Sequence, residues 1–187
     1  MHRLGLLPLV KELRINNNPH TTGIYRELLN FRVLRQFVAL TNVQDLRLGY
    51  LDIPSFMPRI RRYFGHFFPT VRSLTLLSPK GSYQQVVFFI GSFQRLEDLM
   101  LKDDAFCVSK QEEGQALIPP FVPPLGGRLV VWSLKKAGLV KEMIRSFGGI
   151  AFSEMNIFNV AETRLLLSAS AKTLRILQLH PSDPHGE

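Results

Sequence analysis

The residues best able to ligate a metal or act as nucleophiles are five histidines, His2, His20, His66, His180 and His185, and one cysteine, Cys107. A helical zinc site needs two ligands at i and i+4, and a cysteine site needs closely spaced pairs. No two histidines stand at that spacing, and Cys107 has neither a second cysteine nor a nearby histidine to draw off its proton. Carboxylates adjoin at Asp103-Asp104 and Glu112-Glu113, in a polar stretch where solvation is the expected fate. No G-x-G-x-x-G or G-x-x-x-x-G-K-[ST] phosphate loop occurs, and Gly126-Gly127 and Gly148-Gly149 read as turns entering strands. The expectation is no catalytic residue, no metal and no cofactor: a non-enzymatic protein that works through its surface.

Such a surface has to be positioned by a fold. With 187 residues, 45% apolar and 20% charged, the chain is sized and composed for one domain around one core, and disordered, collagen-like and coiled-coil classes are excluded. The 23 Lys and Arg against 15 Asp and Glu leave +8, which bears on anionic partners and not on fold. One cysteine permits no internal disulfide, so a cytoplasmic or nuclear location is expected. Leu4 to Val10 is too short for a secretory signal and lacks a cleavage site, and no apolar run reaches the roughly 18 residues of a membrane helix.

The main signal is a repeat. An apolar frame, apolar-x-x-apolar-x-x-apolar-x-apolar, recurs at Leu7-Val10-Leu13-Ile15, Leu40-Val43-Leu46-Leu48, Phe68-Val71-Leu74-Leu76, Phe93-Leu96-Leu99-Leu101 and Ala171-Leu174-Leu177-Leu179. Weaker copies stand at Leu129-Trp132-Leu134 and Phe152-Met155-Ile157. Their spacing overlaps the period of about 20 to 29 residues in leucine-rich repeats, each turn contributing one short strand. Parallel strands are expected near 12–16, 45–49, 73–77, 98–102, 131–135, 154–158 and 176–180. Leu46, Leu74, Leu99, Trp132, Met155 and Leu177 should then stack as one core row. Helical spacing between strands, as in Phe56, Ile60, Phe64 and Phe67, predicts returns at 23–37, 56–67, 83–93, 139–147 and 161–169. The fold class is α/β: a leucine-rich-repeat solenoid of about seven repeats over 1–180, with a curved parallel sheet and helices or irregular returns on the convex side. A proline-rich insertion at 103–128 should be an extended surface loop, and 181–187 a disordered tail.

The copies LTNVQDLRLGYLDI (40–53), FPTVRSLTLLSP (68–79), FQRLEDLMLKDD (93–104), PPLGGRLVVWSL (123–134) and KTLRILQLHPSD (172–183) resemble the irregular leucine-rich repeats of F-box-like proteins from mushroom-forming fungi. In that family an F-box helix bundle docks on the adaptor of a cullin-RING ubiquitin ligase while the repeats capture a substrate. Here no F-box precedes the first copy. The resemblance therefore implies substrate-binding repeats, with any adaptor engaged through a segment absent from this sequence.

Because alternate strand residues face opposite sides, the outward positions can be read off the frame. They nominate Glu12, Arg14, Asp45, Arg47, Asp98, Met100, Lys102, Lys135, Glu154, Asn156 and Phe158 as a protein-binding face. Its charges balance, as suits a protein partner, with Met100 and Phe158 as apolar anchors. The excess of positive charge falls on the returns, so nucleic-acid contact through a convex patch at Arg59, Arg61 and Arg62 is the alternative and is expected not to be the function.

Overall fold

Among the described residues seven five-residue segments are extended: β1 (Glu12–Asn16), β2 (Asp45–Gly49), β3 (Ser73–Leu77), β4 (Asp98–Lys102), β5 (Arg128–Trp132), β6 (Glu154–Phe158) and β7 (Ile176–His180). The computed structural model describes residues 9–16, 40–54, 68–102, 119, 121–132, 138–158 and 163–180. The strands form one all-parallel sheet in sequence order, β1 to β7. Their register puts Leu13, Leu46, Leu74, Leu99, Leu129, Met155 and Leu177 in one row. Ile15, Leu48, Leu76, Leu101, Val131, Ile157 and Leu179 make the next row on the same face. From β2 to β6 these residues are buried, so a shift of one residue would turn the whole buried set to the other face.

Parallel neighbours cannot be joined by a tight turn, so the chain returns behind the sheet. Among the described residues the returns include α1 (Tyr83–Ile90), α2 (Gly138–Phe147) and α3 (Thr163–Ser170). Ser82 starts α1 with a capping box: its hydroxyl accepts from the Gln85 N–H, and the Gln85 side chain accepts from the Ser82 N–H at 2.8 Å. Val86, Val87, Phe89 and Ile90 of α1 and Leu139, Val140 and Met143 of α2 join the strand leucines in one core. Gly148 ends α2 in the left-handed region, and the Gly149 N–H donates to the Ile144 carbonyl; this glycine pair stops a helix and does not lead into a strand.

Consecutive turns are stitched by a repeated hydrogen-bond pattern. The Lys11 carbonyl accepts from the N–H groups of Gln44 and Asp45, Gln44 from Arg72 and Ser73, and Arg72 from Glu97 and Asp98. Gly127 in the same way accepts from Ser153 and Glu154, and Ser153 from Arg175 and Ile176. The pattern breaks only at the entry to β5, where the Arg128 N–H donates to Asp98 Oδ1 at 2.6 Å. Asp98→Ala should therefore cost about 1 kcal/mol in denaturant melts, a charged hydrogen bond discounted for exposure, while Asp98→Asn keeps the acceptor and most of the stability.

The structure corrects the expected fifth strand. It spans 128–132 and not 131–135, a slip of three residues that reverses every side chain, so Leu129 occupies the core row and Trp132 faces outward. Leu129 and Val131 fit two adjacent rows built of aliphatic side chains and methionine, where an indole would overpack. At the end of the row Leu177 has the expected register but is 39% exposed, because among the described strands β7 has a neighbour on one side only. Residues 121–127 of the expected loop lie against α1 and β4. The Phe121 N–H donates to the Gly91 carbonyl, the Leu125 N–H to that of Leu96, and Leu125 is buried. The helices expected at 23–37 and 56–67 and the tail at 181–187 fall outside the described residues.

Candidate functional site

The described helices bury their apolar sides in the core behind the sheet, and no described helix or strand lies over the other face. That open face carries three rows. The first is Glu12, Asp45, Ser73, Asp98, Arg128, Glu154 and Ile176; the second is Arg14, Arg47, Thr75, Met100, Val130, Asn156 and Gln178. The third, along the ends of the strands, is Asn16, Gly49, Leu77, Lys102, Trp132, Phe158 and His180.

The rows divide the face into unlike halves. On β1 and β2, Glu12 accepts from the guanidinium groups of Arg14 at 2.5 Å and Arg47 at 3.1 Å, and Arg47 lies 3.5 Å from Asp45. The hydrogen bond from Arg14 holds the Glu12 carboxyl below its ordinary range, and the same bond raises Arg14. Being exposed, these pairs contribute little to stability and mainly fix charges in place. From β4 onward the first row stays charged at Asp98, Arg128 and Glu154, while the third row turns aromatic. Trp132 and Phe158 stack with centroids 4.1 Å apart and planes 15° apart. Phe158 and His180 continue the stack at 3.9 Å and 5°. Lys102 closes its other end, with Nζ 5.6 Å from the Trp132 ring centroid, a cation–π contact. Met100 and Val130 lie beside this ladder in the second row.

Glu12, Arg14, Asp45 and Arg47 thus come together as one network. Asp98, Met100 and Lys102 share β4, and Glu154, Asn156 and Phe158 share β6, two strands away. Asp98 has a structural task, anchoring the start of β5. Lys135 lies outside the described residues, as do Arg59, Arg61 and Arg62. The frame missed Arg128, Val130 and Trp132, because the slip at β5 turned them inward or removed them from the strand. It placed Gln178 and His180 outward without nominating them. No family model, curated protein or solved structure matches the chain.

Chemically, the face offers shape, stacked rings and fixed charges. Among the described residues no group of three or more His, Cys, Asp or Glu could hold a metal ion, and no helix is long and apolar enough to cross a membrane. Asn156 adds a buried side-chain oxygen without a hydrogen-bond partner, between Val130 and Gln178 in the second row.

Proposed function

We propose that the chain is a leucine-rich-repeat solenoid acting as a non-enzymatic protein-recognition module, with the open sheet face as its binding surface. The observation that carries this reading is the half-exposed Trp132 in a ladder with Lys102, Phe158 and His180, on the same sheet face as the ion-pair network of β1 and β2. Rigid aromatic anchors supply affinity at low entropic cost, and surrounding charges set orientation and association rate. The resemblance to F-box-like proteins supports the narrower reading that the captured protein is a substrate for ubiquitination, delivered to a cullin-RING adaptor through a separate segment.

Trp132 is the only tryptophan in the sequence, so its fluorescence reports directly on occupation of the face. Partners captured from cells by the wild-type chain should shift that emission when purified and titrated. Trp132→Ala together with Met100→Ala should weaken them at least about tenfold, or about 1.4 kcal/mol. Arg47→Glu should mainly slow association and change its salt dependence. Retention of every partner by the Trp132 and Met100 double variant, with release on neutralising Arg59, Arg61 and Arg62, would move recognition to the returns. Failure of the ligase adaptor to co-purify with the full-length gene product would remove the ubiquitination reading and leave the binding face standing.

A further inference from the structure

Among the described strands, β7 is the one with all five residues exposed. On its core side Leu177 is 39% and Leu179 is 52% exposed, and on the open face Ile176 is 49% exposed. Ile176 donates its N–H to the Ser153 carbonyl, toward β6. Alternate residues of a strand turn their backbone groups to opposite sides, so the N–H and C=O of Leu177 and Leu179 point away from β6, to the side where no other described strand pairs with β7. An edge of this kind pairs readily with another strand.

We propose that a second copy of this chain pairs with it through β7, antiparallel, about a two-fold axis passing through Gln178 and normal to the sheet. The strand I-L-Q-L-H is self-complementary about its centre. Read against its own reverse, Leu177 meets Leu179 of the second copy, Gln178 meets its equivalent, and Ile176 meets His180. Leu177 and Leu179 become the hydrogen-bonded pairs and exchange their free N–H and C=O groups. Gln178 falls at the non-hydrogen-bonded pair, where Cα atoms stand about 4.5 Å apart. The axis keeps the core sides of both sheets together, so the exposed leucines cover one another. His180, stacked on Phe158 by one ring face, offers its other face to Ile176 of the second copy.

The competing arrangement joins β7 to β1 of the next copy, with Leu177 on Leu13 and Leu179 on Ile15. Leu13 and Ile15 are already partly buried, so that join covers less exposed apolar surface, and it generates an open series where the two-fold closes at two chains.

The test uses the full chain with its single cysteine removed by Cys107→Ser. Gln178→Cys should form a disulfide-linked dimer under mild oxidation at tens of micromolar, since about 4.5 Å between Cα atoms lies within disulfide range. Arg14→Cys alone should not, and adding Leu179→Lys to Gln178→Cys should abolish the link while leaving the melting transition in place. Light scattering of the unmodified chain should give twice the mass of one chain. A single-chain mass, an open-ended series of sizes, or preferential linkage of position 14 to position 178 in mixed samples would overturn the proposal.

Discussion

Leu99→Ala and Leu129→Ala should each lower the free energy of unfolding by about 2 to 5 kcal/mol, through lost burial and the cavity left behind. Trp132→Ala, although it removes far more atoms, should cost only about 1 kcal/mol, the scale of an aromatic stacking contact. The inversion follows from register alone. Leu99 and Leu129 are paired neighbours in the buried row, packed among Leu74 and Met155, whereas Trp132 stands outward at 39% exposure with one face on Phe158. Had β5 started three residues later, Trp132 would occupy the buried row and its truncation would be the costly one, at about 3 to 5 kcal/mol. Chemical denaturation of the three variants, with an unchanged dependence on denaturant, decides between the registers.

Most of the sheet was legible because its physics is local. In six strands a pair such as Leu46 and Leu48, flanked by Asp45, Arg47 and Gly49, leaves one arrangement that buries the leucines and wets the charges. The fifth strand failed because Arg128–Trp132 reads R-L-V-V-W, with apolar residues on both sides, so alternation gives no preference and the spacing of larger anchors pulled the frame toward Trp132 and Leu134. A signal for the right register was present. Gly126-Gly127 reads as a turn into a strand, and a strand that starts at once begins at Arg128. The irregular apolar plug of this repeat deepened the error. Leu125, with φ at 40°, fills the space that Val43, Val71 and Leu96 fill in other turns, one residue out of step. The charged half of the candidate face, on β1 and β2, was found residue by residue. The ladder was seen only at Lys102 and Phe158, since stacking depends on cross-strand register, which no single strand displays.

Gly91→Ala should destabilise the fold by about 1 to 3 kcal/mol, the cost of overpacking a tight contact. Backbone conformation argues the other way, which makes the sign informative. Gly91 follows α1 with φ at −68° and ψ at −2°, a right-handed conformation open to any residue. Replacing glycine there would by itself stabilise by about 0.4 to 1 kcal/mol, through a less flexible unfolded chain. Packing outweighs this gain. A Cβ at position 91 would lie 2.5 Å from the Pro119 Cβ and 2.9 Å from the Phe121 carbonyl oxygen, with a Phe147 ring carbon at 3.3 Å. The carbonyl is backbone and cannot swing aside as a side chain would, and the Phe121 N–H is itself bound to the Gly91 carbonyl at 3.1 Å. Accommodation therefore has to lift the 121–125 strap, which buries Leu125 against the core and leads directly into β5. Gly126→Ala is the control, for its nearest neighbour would be the Pro124 carbonyl at 3.9 Å, and its effect should stay within about 0.5 kcal/mol. A stabilised Gly91→Ala would mean that the strap does not seat on α1. A loss there with a silent Gly126→Ala would establish that the 121–125 strap is a packed part of the fold, holding β5 in the register that turns Trp132 outward.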